Sequence, residues 1–415
     1  MRVLWFSSGL DGIGLATDNY FGGGWVASLM GVVAASKAIE LHVAYLSDDV
    51  TPFSKSGVSF HPVKRKTRGR VSKILWYYGG YRHQDGDAYL PEALSVMDSV
   101  RPDLVQVFGM ESEFSCVVGK VPVPVVVHIQ GILHECAKGF FPPGMDGRFF
   151  LKSGSTREWL YRNGVVFNYK EMKVKARIEL ERYSKVPFLF GRTDFDLGFA
   201  REHAPQARYF RMDEVLRPVF YRRAGEHKIV RTGSMKLFTT ASETVYKGLD
   251  VILRAGKLLK EEYGDDYQWV VAGIRPGSEF VGHFERFTGI SSAGAGIRYA
   301  GSLSSEHLVD EMLKADFYVH TSYCDNSPNS LCEAMMLGLP CVASNAMGIP
   351  SLIDDKRTGM LYKSGDYNAL AAMVKVMGRN VDLGGAAFNA ARERHDRDRI
   401  LNDLLNAYET IVGKG

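Results

Sequence analysis

Short runs of apolar and β-branched residues recur through the first half of the chain and alternate with glycine-bearing loops and helical segments. The runs occupy residues 2–6, 41–47, 104–109, 123–131 and 187–196. Apolar runs of this length, bounded by turn residues, are typical of strands buried on both faces of a parallel sheet. The alternation therefore predicts a doubly wound α/β domain, which we assign to residues 1–212.

A second series of the same kind begins near residue 228. Residues 229–234 precede a predicted long loop, and strands are predicted at residues 267–273, 297–302, 316–320 and 340–344. Between them, residues 246–264 show helical periodicity in their apolar side chains, at Leu249, Ile252, Leu253, Ala255 and Leu259. We expect the joint within the charged stretch 210–227 and assign a second α/β domain to residues 213–395. The amphipathic pattern at 397–412 predicts a terminal helix within residues 396–415.

Composition agrees with two globular domains and excludes few functions. The chain has 415 residues, of which 46% are hydrophobic and 24% are charged. The formal net charge of +4 is too small to indicate nucleic-acid binding by itself. Five cysteines are scattered without CxxC spacing, which predicts neither a zinc site nor a disulfide framework and suits a reducing cytoplasm. No apolar run approaches the ~20 residues that a membrane span needs.

The densest cluster of candidate chemistry lies in residues 321–345, where a strand end, a helix and the next strand follow one another. Ser327 as N-cap and Pro328 at the first helical position predict a helix over about residues 328–337. The N–H groups at such a helix start favour an anion. They belong to Asn329, Ser330 and Leu331. Glu333, one turn further, can accept hydrogen bonds from two adjacent hydroxyls. A ribose diphosphate site and an ordinary βαβ unit with a solvated Glu333 explain this stretch equally well.

The same residues resemble a known signature. Asp325, Pro328, Asn329, Ser330 and Glu333, followed by LGLPCVAS, look like the E-x7-E segment of retaining GT-B glycosyltransferases of the family-four type. The resemblance implies two Rossmann-like doubly wound domains that face a central cleft, with the terminal helix returning to the first domain. It also implies that Asp325, an Asp where the family has Glu, contacts the donor sugar and that Glu333 holds the ribose.

Other residues acquire roles from this resemblance. Gly23 and Gly24 match a glycine loop that faces the donor phosphates, although a glycine triplet alone also fits a flexible turn. A dinucleotide fingerprint at Gly12 and Gly14 is disfavoured because Thr17 occupies the third glycine position. Lys247 is the candidate that neutralises the leaving diphosphate, although a lysine at a helix start also fits a simple solvated side chain.

Three further positions complete the predicted cleft. Ser242 stands where the family has a phosphate-binding Arg, and Arg192 or Arg231 are candidate substitutes. A lone histidine after an apolar run is usually structural, but HIQG at His128 resembles the family position that contacts the transferred sugar. Glu111 is a candidate for binding acceptor hydroxyls, or it caps a helix.

We expect no metal cofactor, because the D-x-D pairs at residues 85/87, 194/196 and 396/398 follow no clear strand with further ligands nearby. In the segment 346–353, which resembles the family's G-G-x-x-E loop, Met347 and Ser351 replace a glycine and the acid. Residues 61–83 contain seven Lys or Arg, no acid and several aromatic residues. A solvated basic loop is the default interpretation, nucleic acid is an alternative, and we favour peripheral membrane contact.

The predicted function is a metal-independent retaining glycosyltransferase in the cytoplasm, on the inner face of the membrane. It would move a sugar from a nucleotide diphosphate donor, such as a UDP-sugar, to a glycan or polyprenyl-diphosphate-linked acceptor in surface or capsular polysaccharide biosynthesis. The alternatives are a nonhydrolysing sugar-nucleotide epimerase and a catalytically silent nucleotide-binding subunit.

Overall fold

The computed structural model describes residues 1–8, 24–66, 87–153, 164–228, 234–380 and 383–413. Within them the chain forms two α/β domains, each built on one twisted sheet. The first sheet has eight strands in the order β3-β4-β2-β1-β5-β6-β7-β8, all parallel except for the β3–β4 pair. Its strands are β1 (Arg2–Ser7), β2 (Glu40–Ser47), β3 (Phe53–Lys55), β4 (Val58–Lys64), β5 (Leu104–Phe108), β6 (Val125–His128), β7 (Phe188–Gly191) and β8 (Arg208–Arg211).

The second sheet has six parallel strands in the order β11-β10-β9-β12-β13-β14. They are β9 (Met235–Thr240), β10 (Tyr267–Ala272), β11 (Ile297–Gly301), β12 (Phe317–His320), β13 (Cys341–Asn345) and β14 (Met360–Lys363). The chain order reverses between β9 and β12, and ligands in open parallel sheets bind at such a switch point, beyond the carboxyl ends of the strands.

Helices cover both faces of each sheet. In the first domain they are α1 (Gly24–Ser36), α2 (Leu90–Val100), α3 (Leu133–Lys138), α4 (Gly147–Ser153), α5 (Val165–Tyr183) and α6 (Asp194–His203). The remaining helices are α7 (Pro218–Arg222), α8 (Leu249–Tyr263), α9 (Glu279–Thr288), α10 (Ser305–Leu313), α11 (Asn329–Met336), α12 (Tyr367–Asn380), α13 (Gly384–Arg394) and α14 (Arg397–Val412). Among the described residues, no helix combines the length and apolar character needed to cross a membrane.

One of the sequence predictions for the second sheet is wrong. The predicted long loop contains β9, which lies between β10 and β12 in the sheet. Residues 229–233, which precede it, lie outside the described residues. Lys236, Thr239 and Thr240 make this strand look polar, but the Thr239 hydroxyl is satisfied by donating to the Val319 carbonyl at 2.7 Å. Such satisfaction inside the sheet is invisible to a hydropathy pattern.

The terminal helix α14 packs on the first domain. Its apolar face joins the cluster that contains Val3 and Trp5 of β1. The Trp5 indole N–H donates to the Tyr408 hydroxyl at 2.9 Å, and that hydroxyl also contacts the Gln106 side chain of β5. The terminal helix therefore returns to the first domain, as the resemblance implies.

The long connection between β6 and β7 also crosses the cleft, in the opposite direction. Phe140, Met145 and Phe150 belong to the core cluster of the second domain. Phe149 contacts Phe287 with ring centroids 5.5 Å apart, and Phe150 contacts His283 at the same separation. Residues before 212 in the sequence thus help to bury helix α9 of the second domain.

The prediction that the cysteines form no disulfide is wrong. Cys136 on α3 is bonded to Cys324, whose Cα lies 5.6 Å away, in the loop after β12. The two residues are 188 positions apart, so their spacing along the chain gave no sign of pairing. Cys116, Cys332 and Cys341 are buried thiols.

Candidate functional site

A cavity of about 390 Å³ lies at the carboxyl ends of the second domain's strands, where the start of α1 from the first domain faces it. Its volume is in the usual range for small-molecule sites. One wall is apolar and is formed by Ala272, Leu303 and Leu308. The remaining walls are mostly polar and include the helix start at Asn329 and Ser330.

Lys247 reaches the cavity from the turn between β9 and α8. The turn is held close to the loop after β12, because the Thr321 hydroxyl donates to the Lys247 carbonyl at 2.9 Å. Gly248 makes the approach possible: its φ is 77°, and a Cβ there would lie 2.1 Å from the Thr321 carbonyl oxygen. Only glycine fits this backbone position.

Asp325 forms the charged centre of the site. Its Oδ2 lies 2.5 Å from Lys247 Nζ and 3.2 Å from His320 Nε2. Burial opposes ionisation of Asp325, but Lys247 and His320 hold its pKa well below the usual range. Burial also opposes charge on Lys247, yet the Asp325 carboxylate raises the pKa of the lysine. The pair is therefore ionised at neutral pH and places one positive and one negative charge side by side in the cavity wall.

The start of α11 departs from the prediction. Pro328 is the N-cap and supplies no side-chain cap, and the helix begins at Asn329. Ser327 does not cap the helix, because its hydroxyl donates to Glu214 Oε1 at 2.7 Å. The N–H of Leu331 donates to the Pro328 carbonyl at 3.0 Å, so the expectation that it points freely at an anion is wrong. Asn329 and Ser330 line the cavity.

Glu333 lines the same cavity and is 4% exposed, so it is not the solvated residue of the alternative interpretation. Both of its oxygens accept from Arg217: Nε donates to Oε1 and Nη2 donates to Oε2, each at 2.7 Å. Arg217 was missed from the sequence because it lies 116 residues away, in a stretch interpreted only as the interdomain joint. His320 was missed as well, since it appeared only as the end of a predicted strand.

Gly24 and Trp25 line the cavity from the first domain, whereas Gly23 lies outside the described residues. Gly24 is the first residue of α1, and the Arg217 side chain passes directly beside it, with Cδ 3.1 Å from where a Cβ would stand. Ser242 lines the cavity too, and its hydroxyl lies 2.9 Å from that of Thr244.

His128 lies behind the cavity wall and does not line the cavity. Its imidazole is fully buried, edge-on to Trp25 with ring centroids 4.7 Å apart, and Gln106 Nε2 lies 3.5 Å from its Nδ1. Burial and the nearby Arg192 charge lower the pKa of His128 to about 3, so the ring is neutral. Trp25, which lines the cavity, therefore contacts the histidine from the cavity side.

Of the two candidate substitutes for a phosphate-binding arginine, Arg192 does not line the cavity either. The Arg192 guanidinium is 5.1 Å from the centroid of the Trp25 ring and donates to the Gln130 carbonyl at 2.9 Å. Arg231 lies outside the described residues. Glu111 does not line the cavity; its Oε1 accepts from the Gly131 N–H at 3.4 Å, and burial raises its pKa to about 7.

The loop that resembles the family's donor loop connects the domains. The Ser351 hydroxyl accepts from the Asp194 N–H at 2.9 Å. Gly348 packs against Asn326, whose carbonyl oxygen would lie 2.0 Å from a Cβ. Met347 adopts a positive φ of 44°. Ser351 therefore holds α6 against the second domain rather than facing the cavity.

Among the described residues, one group of side chains has ligand atoms close enough to hold a metal: Glu214, Cys332 and His395. Most of its polar atoms already contact protein groups. Ser327 and Cys332 both donate to Glu214 Oε1, at 2.7 and 3.2 Å, and His395 Nδ1 contacts the Glu214 carbonyl at 2.9 Å. Burial raises the pKa of the Cys332 thiol well above its usual range. A protonated thiol is a poor metal ligand, so this group does not fit a cation.

The D-x-D pairs with described residues have structural partners. Asp196 forms a capping box with Thr193 at the start of α6, and Asp396 caps α14 by accepting from the Arg399 N–H at 2.8 Å. Asp87 contacts Lys120. Of the basic stretch 61–83, residues 61–66 are described and 67–83 lie outside the described residues; Lys66 pairs with Glu92 at 2.7 Å.

Comparison with known proteins places the second domain in a family. The model described as "Glycosyl transferases group 1" matches residues 235–380. An amylovoran biosynthesis glycosyltransferase, AmsK of Erwinia amylovora, is 27% identical over 34% of this chain and 35% of its own length. A phosphatidyl-myo-inositol mannosyltransferase of Mycobacterium leprae is 29% identical over 45% of this chain and 49% of its own length. The matched region thus spans between a third and a half of these relatives.

Solved structures confirm the predicted fold over the whole chain. A sucrose-phosphate synthase from Thermosynechococcus elongatus superposes with a TM-score of 0.71, covers 100% of both chains and is 12% identical. WaaG, a glycosyltransferase involved in lipopolysaccharide biosynthesis, gives a TM-score of 0.62 at 16% identity over 99% of this chain and 100% of its own. The resemblance stated from residues 325–344 is therefore confirmed: residues 235–380 match the group 1 glycosyltransferase model, and the chain has the GT-B fold.

Proposed function

We propose that the protein is a retaining glycosyltransferase that transfers a sugar from a nucleotide diphosphate donor to a glycan or lipid-linked glycan during surface polysaccharide biosynthesis. The observation that supports this most directly is the convergence of Lys247, Asp325 and Glu333 on one cavity at the start of a helix. Amylovoran and colanic acid biosynthesis, named for two relatives, favour a polysaccharide product.

The cavity offers a separate surface for each part of a nucleotide sugar. The apolar wall of Leu303 and Leu308 suits a nucleobase, and the Glu333 carboxylate suits the ribose hydroxyls. The start of α11 and the Lys247 ammonium suit the diphosphate. We take a UDP-sugar as the working donor, because a structural neighbour, HepE of Anabaena, was solved with UDP and glucose.

In the proposed reaction the bond between the anomeric carbon and the diphosphate oxygen breaks, and an acceptor hydroxyl attacks from the same face of the sugar. The departing oxygen takes the acceptor proton. Lys247, which stays protonated because Asp325 raises its pKa, stabilises the charge that develops on the leaving group. Asp325 accepts from hydroxyls of the transferred sugar and keeps Lys247 in place.

No metal is required in this proposal, since a lysine and a helix start hold the diphosphate. We propose a polyprenyl-diphosphate-linked acceptor at the cytoplasmic face of the membrane, approached through residues 61–83. Charge reversal at Lys64, Arg65 and Lys66 should then reduce binding to anionic liposomes, and unchanged binding would contradict this membrane contact.

A thermal-shift panel of nucleotide sugars and nucleoside diphosphates tests the proposed function. A ligand present at about 100 times its dissociation constant stabilises the protein by ~2.7 kcal/mol, which raises the melting temperature measurably. We expect one nucleotide to give a clear shift that is lost in Glu333→Ala. If that variant keeps the wild-type affinity, the assigned ribose site is wrong. Incubation with the donor alone separates the epimerase alternative, which would produce an isomerised sugar nucleotide.

A further inference from the structure

The charged side chains that line the cavity form two closed pairs. Lys247 is paired with Asp325, and Arg217 is paired with Glu333 through two hydrogen bonds of 2.7 Å. Among the described residues that line the cavity, Arg217 is the only arginine. Each acid that the proposed function assigns to a sugar or a ribose thus already has a cationic partner.

The Arg217–Glu333 pair conflicts with ribose binding as it stands. Glu333 is 4% exposed, and both of its oxygens are engaged by the guanidinium in a bidentate geometry. Each Glu333 oxygen keeps a second lone pair, but only 4% of the side chain is exposed, so a ribose that donates two hydroxyls gains full access to both oxygens when one of these bonds opens. Nucleotide binding in this cavity therefore favours a movement of Arg217.

The surroundings of Arg217 show where the freed guanidinium can go. It is the N-cap residue of α7, so its backbone is fixed by the helix that follows, and its guanidinium lies 5.0 Å from the centroid of the Phe220 ring. Its stem runs beside Gly24, at the first turn of α1. Because Arg217, Gly24 and Lys247 line the same cavity, a rotation about the Arg217 side-chain torsions can carry the guanidinium along that cavity while the backbone stays in place.

Lys247 and the helix start leave part of the diphosphate charge unmatched. A nucleoside diphosphate has more than one negative charge, whereas Lys247 supplies one positive charge that is shared with Asp325. Arg192 is held by Trp25 and Gln130 outside the cavity. A guanidinium also matches phosphate oxygens better than an ammonium does, because it can donate two parallel hydrogen bonds.

We propose that Arg217 binds the donor diphosphate: when the nucleotide enters, Arg217 releases Glu333 to the ribose hydroxyls and turns its guanidinium to the phosphate oxygens. This inference rests on the proposed function. In the empty site the same arginine keeps the buried Glu333 carboxylate neutralised, so one side chain serves the free and the bound states in turn.

Calorimetry with UDP, UMP and uridine tests the exchange, with GDP, GMP and guanosine used instead if the panel selects guanine. Wild type, Arg217→Met, Arg217→Lys and the control Arg222→Met are compared. Arg222 lies on the same helix but contacts Glu306 on the surface, at 2.5 Å and with 60% of its side chain exposed. The control should bind all three ligands as the wild type does.

We expect Arg217→Met to weaken UDP binding by about tenfold or more, because a charge-assisted contact to phosphate is lost. Uridine affinity should stay the same or increase, since Glu333 no longer has to be released. Arg217→Lys should give an intermediate loss for UDP. Equal weakening of UDP and uridine would overturn the inference and leave Arg217 with a structural role.

Two further measurements keep these outcomes separate. Arg217→Met leaves a buried carboxylate unpaired, so the double variant Arg217→Met with Glu333→Gln is measured as well. We expect that double variant to fold and to have a higher ratio of uridine affinity to UDP affinity than the wild type has. Recovery of the wild-type UDP affinity would overturn the inference. If the wild type binds neither nucleoside diphosphate, the proposed function itself fails, which is a different result from a failure of Arg217 alone.

Discussion

Lys247 and Asp325 depend on each other for their charges, and this coupling determines how a substitution at either position acts. Lys247→Met should lower the rate of sugar transfer by roughly 10²–10³, as expected when a preorganised cation at a leaving group is removed. It also leaves Asp325 buried without its closest partner. Steady-state kinetics with a saturating donor measures the effect.

Lys257→Met is the matched control, since Lys257 lies on the adjoining helix α8, is 52% exposed and contacts only Glu261, at 3.8 Å, among the described salt bridges. It should transfer sugar at the wild-type rate. A Lys247→Met enzyme with undiminished turnover would show that the ammonium does not act on the leaving group.

Two buried carboxyl groups of the first domain make stability depend on pH. Burial, followed by the neighbouring Glu111 charge, raises the pKa of Glu179 to about 8, and burial raises the pKa of Glu111 to about 7. The folded state therefore binds more protons than the unfolded state between the ordinary carboxyl pKa and pH 8. Stability contributed by these groups is fully present below the ordinary carboxyl pKa, falls progressively as the pH rises above it, and is lost once the pH has risen through the folded pKa values of about 7 and about 8.

Glu179→Gln should remove part of this slope. The variant keeps an oxygen that can accept from the backbone N–H groups of Leu133 and His134, which lie 3.2 and 2.9 Å from the carboxylate oxygens. We expect melting temperatures close to wild type at pH 5 and higher than wild type at pH 8. The control Glu181→Gln, at an exposed position nearby in the sequence, should leave the melting temperature unchanged at both pH values. Two results together would refute the raised pKa values: a wild-type melting temperature that rises from pH 5 to pH 8, and a difference between Glu179→Gln and wild type that stays the same at both pH values.

At the scale of elements, the turn between β9 and α8 positions Lys247 through one glycine. Gly248→Ala adds a Cβ that would lie 2.1 Å from the Thr321 carbonyl oxygen, at a backbone φ of 77°. The turn must therefore move away from the loop after β12. We expect a loss of stability clearly above the roughly 1–2 kcal/mol of left-handed strain alone, together with weaker nucleotide binding.

Gly289→Ala isolates the strain, because Gly289 has a similar φ of 69° and no atom within 4 Å of the added Cβ. Chemical denaturation of both variants gives the comparison. Equal destabilisation of the two would mean that the close approach to Thr321 contributes nothing.

The elements of the second domain show which parts of a fold are readable from sequence. The strands β10, β12 and β13 follow apolar runs and were predicted close to their observed bounds. β9 was not predicted, because its threonines and lysine break the apolar run and are satisfied only by neighbouring strands. The start of α11 was misplaced by one residue, since Ser327 serves Glu214 of a distant segment instead of the helix.

The difference between local patterns and long-range contacts also explains which residues of the site the sequence did not reveal. Lys247 and Glu333 belong to local motifs and were identified from them. Arg217 and His320 acquire their importance from partners that only the folded chain brings close, 116 residues away for Arg217. His128 lies in a local motif, but its burial behind Trp25 depends on packing of α1 against β6 that no local pattern contains.

At the scale of the whole molecule, the Cys136–Cys324 disulfide joins the two domains next to the site, one residue before Asp325. Removing a native cross-link that closes a long loop typically costs about 2–5 kcal/mol. We expect reduction of the disulfide to lower the melting temperature of the wild type. Cys136→Ser should melt at this lower temperature whether or not reductant is present.

Thiol titration of the unfolded, unreduced protein provides the direct check. Three thiols should react, those of Cys116, Cys332 and Cys341. Five reactive thiols in protein purified without reductant would contradict the cross-link.

The central claim, transfer with retention from a nucleotide sugar, is tested most directly by following donor turnover by proton NMR. When no acceptor is present, water slowly attacks the donor sugar in its place. The anomeric configuration of the first free sugar released then shows from which face of the sugar ring the water attacked. We predict release of the nucleoside diphosphate together with a sugar of the donor's own anomeric configuration, and loss of both signals in Lys247→Met. Initial release of the opposite anomer, or conversion of the donor to an isomerised sugar nucleotide, would contradict the account.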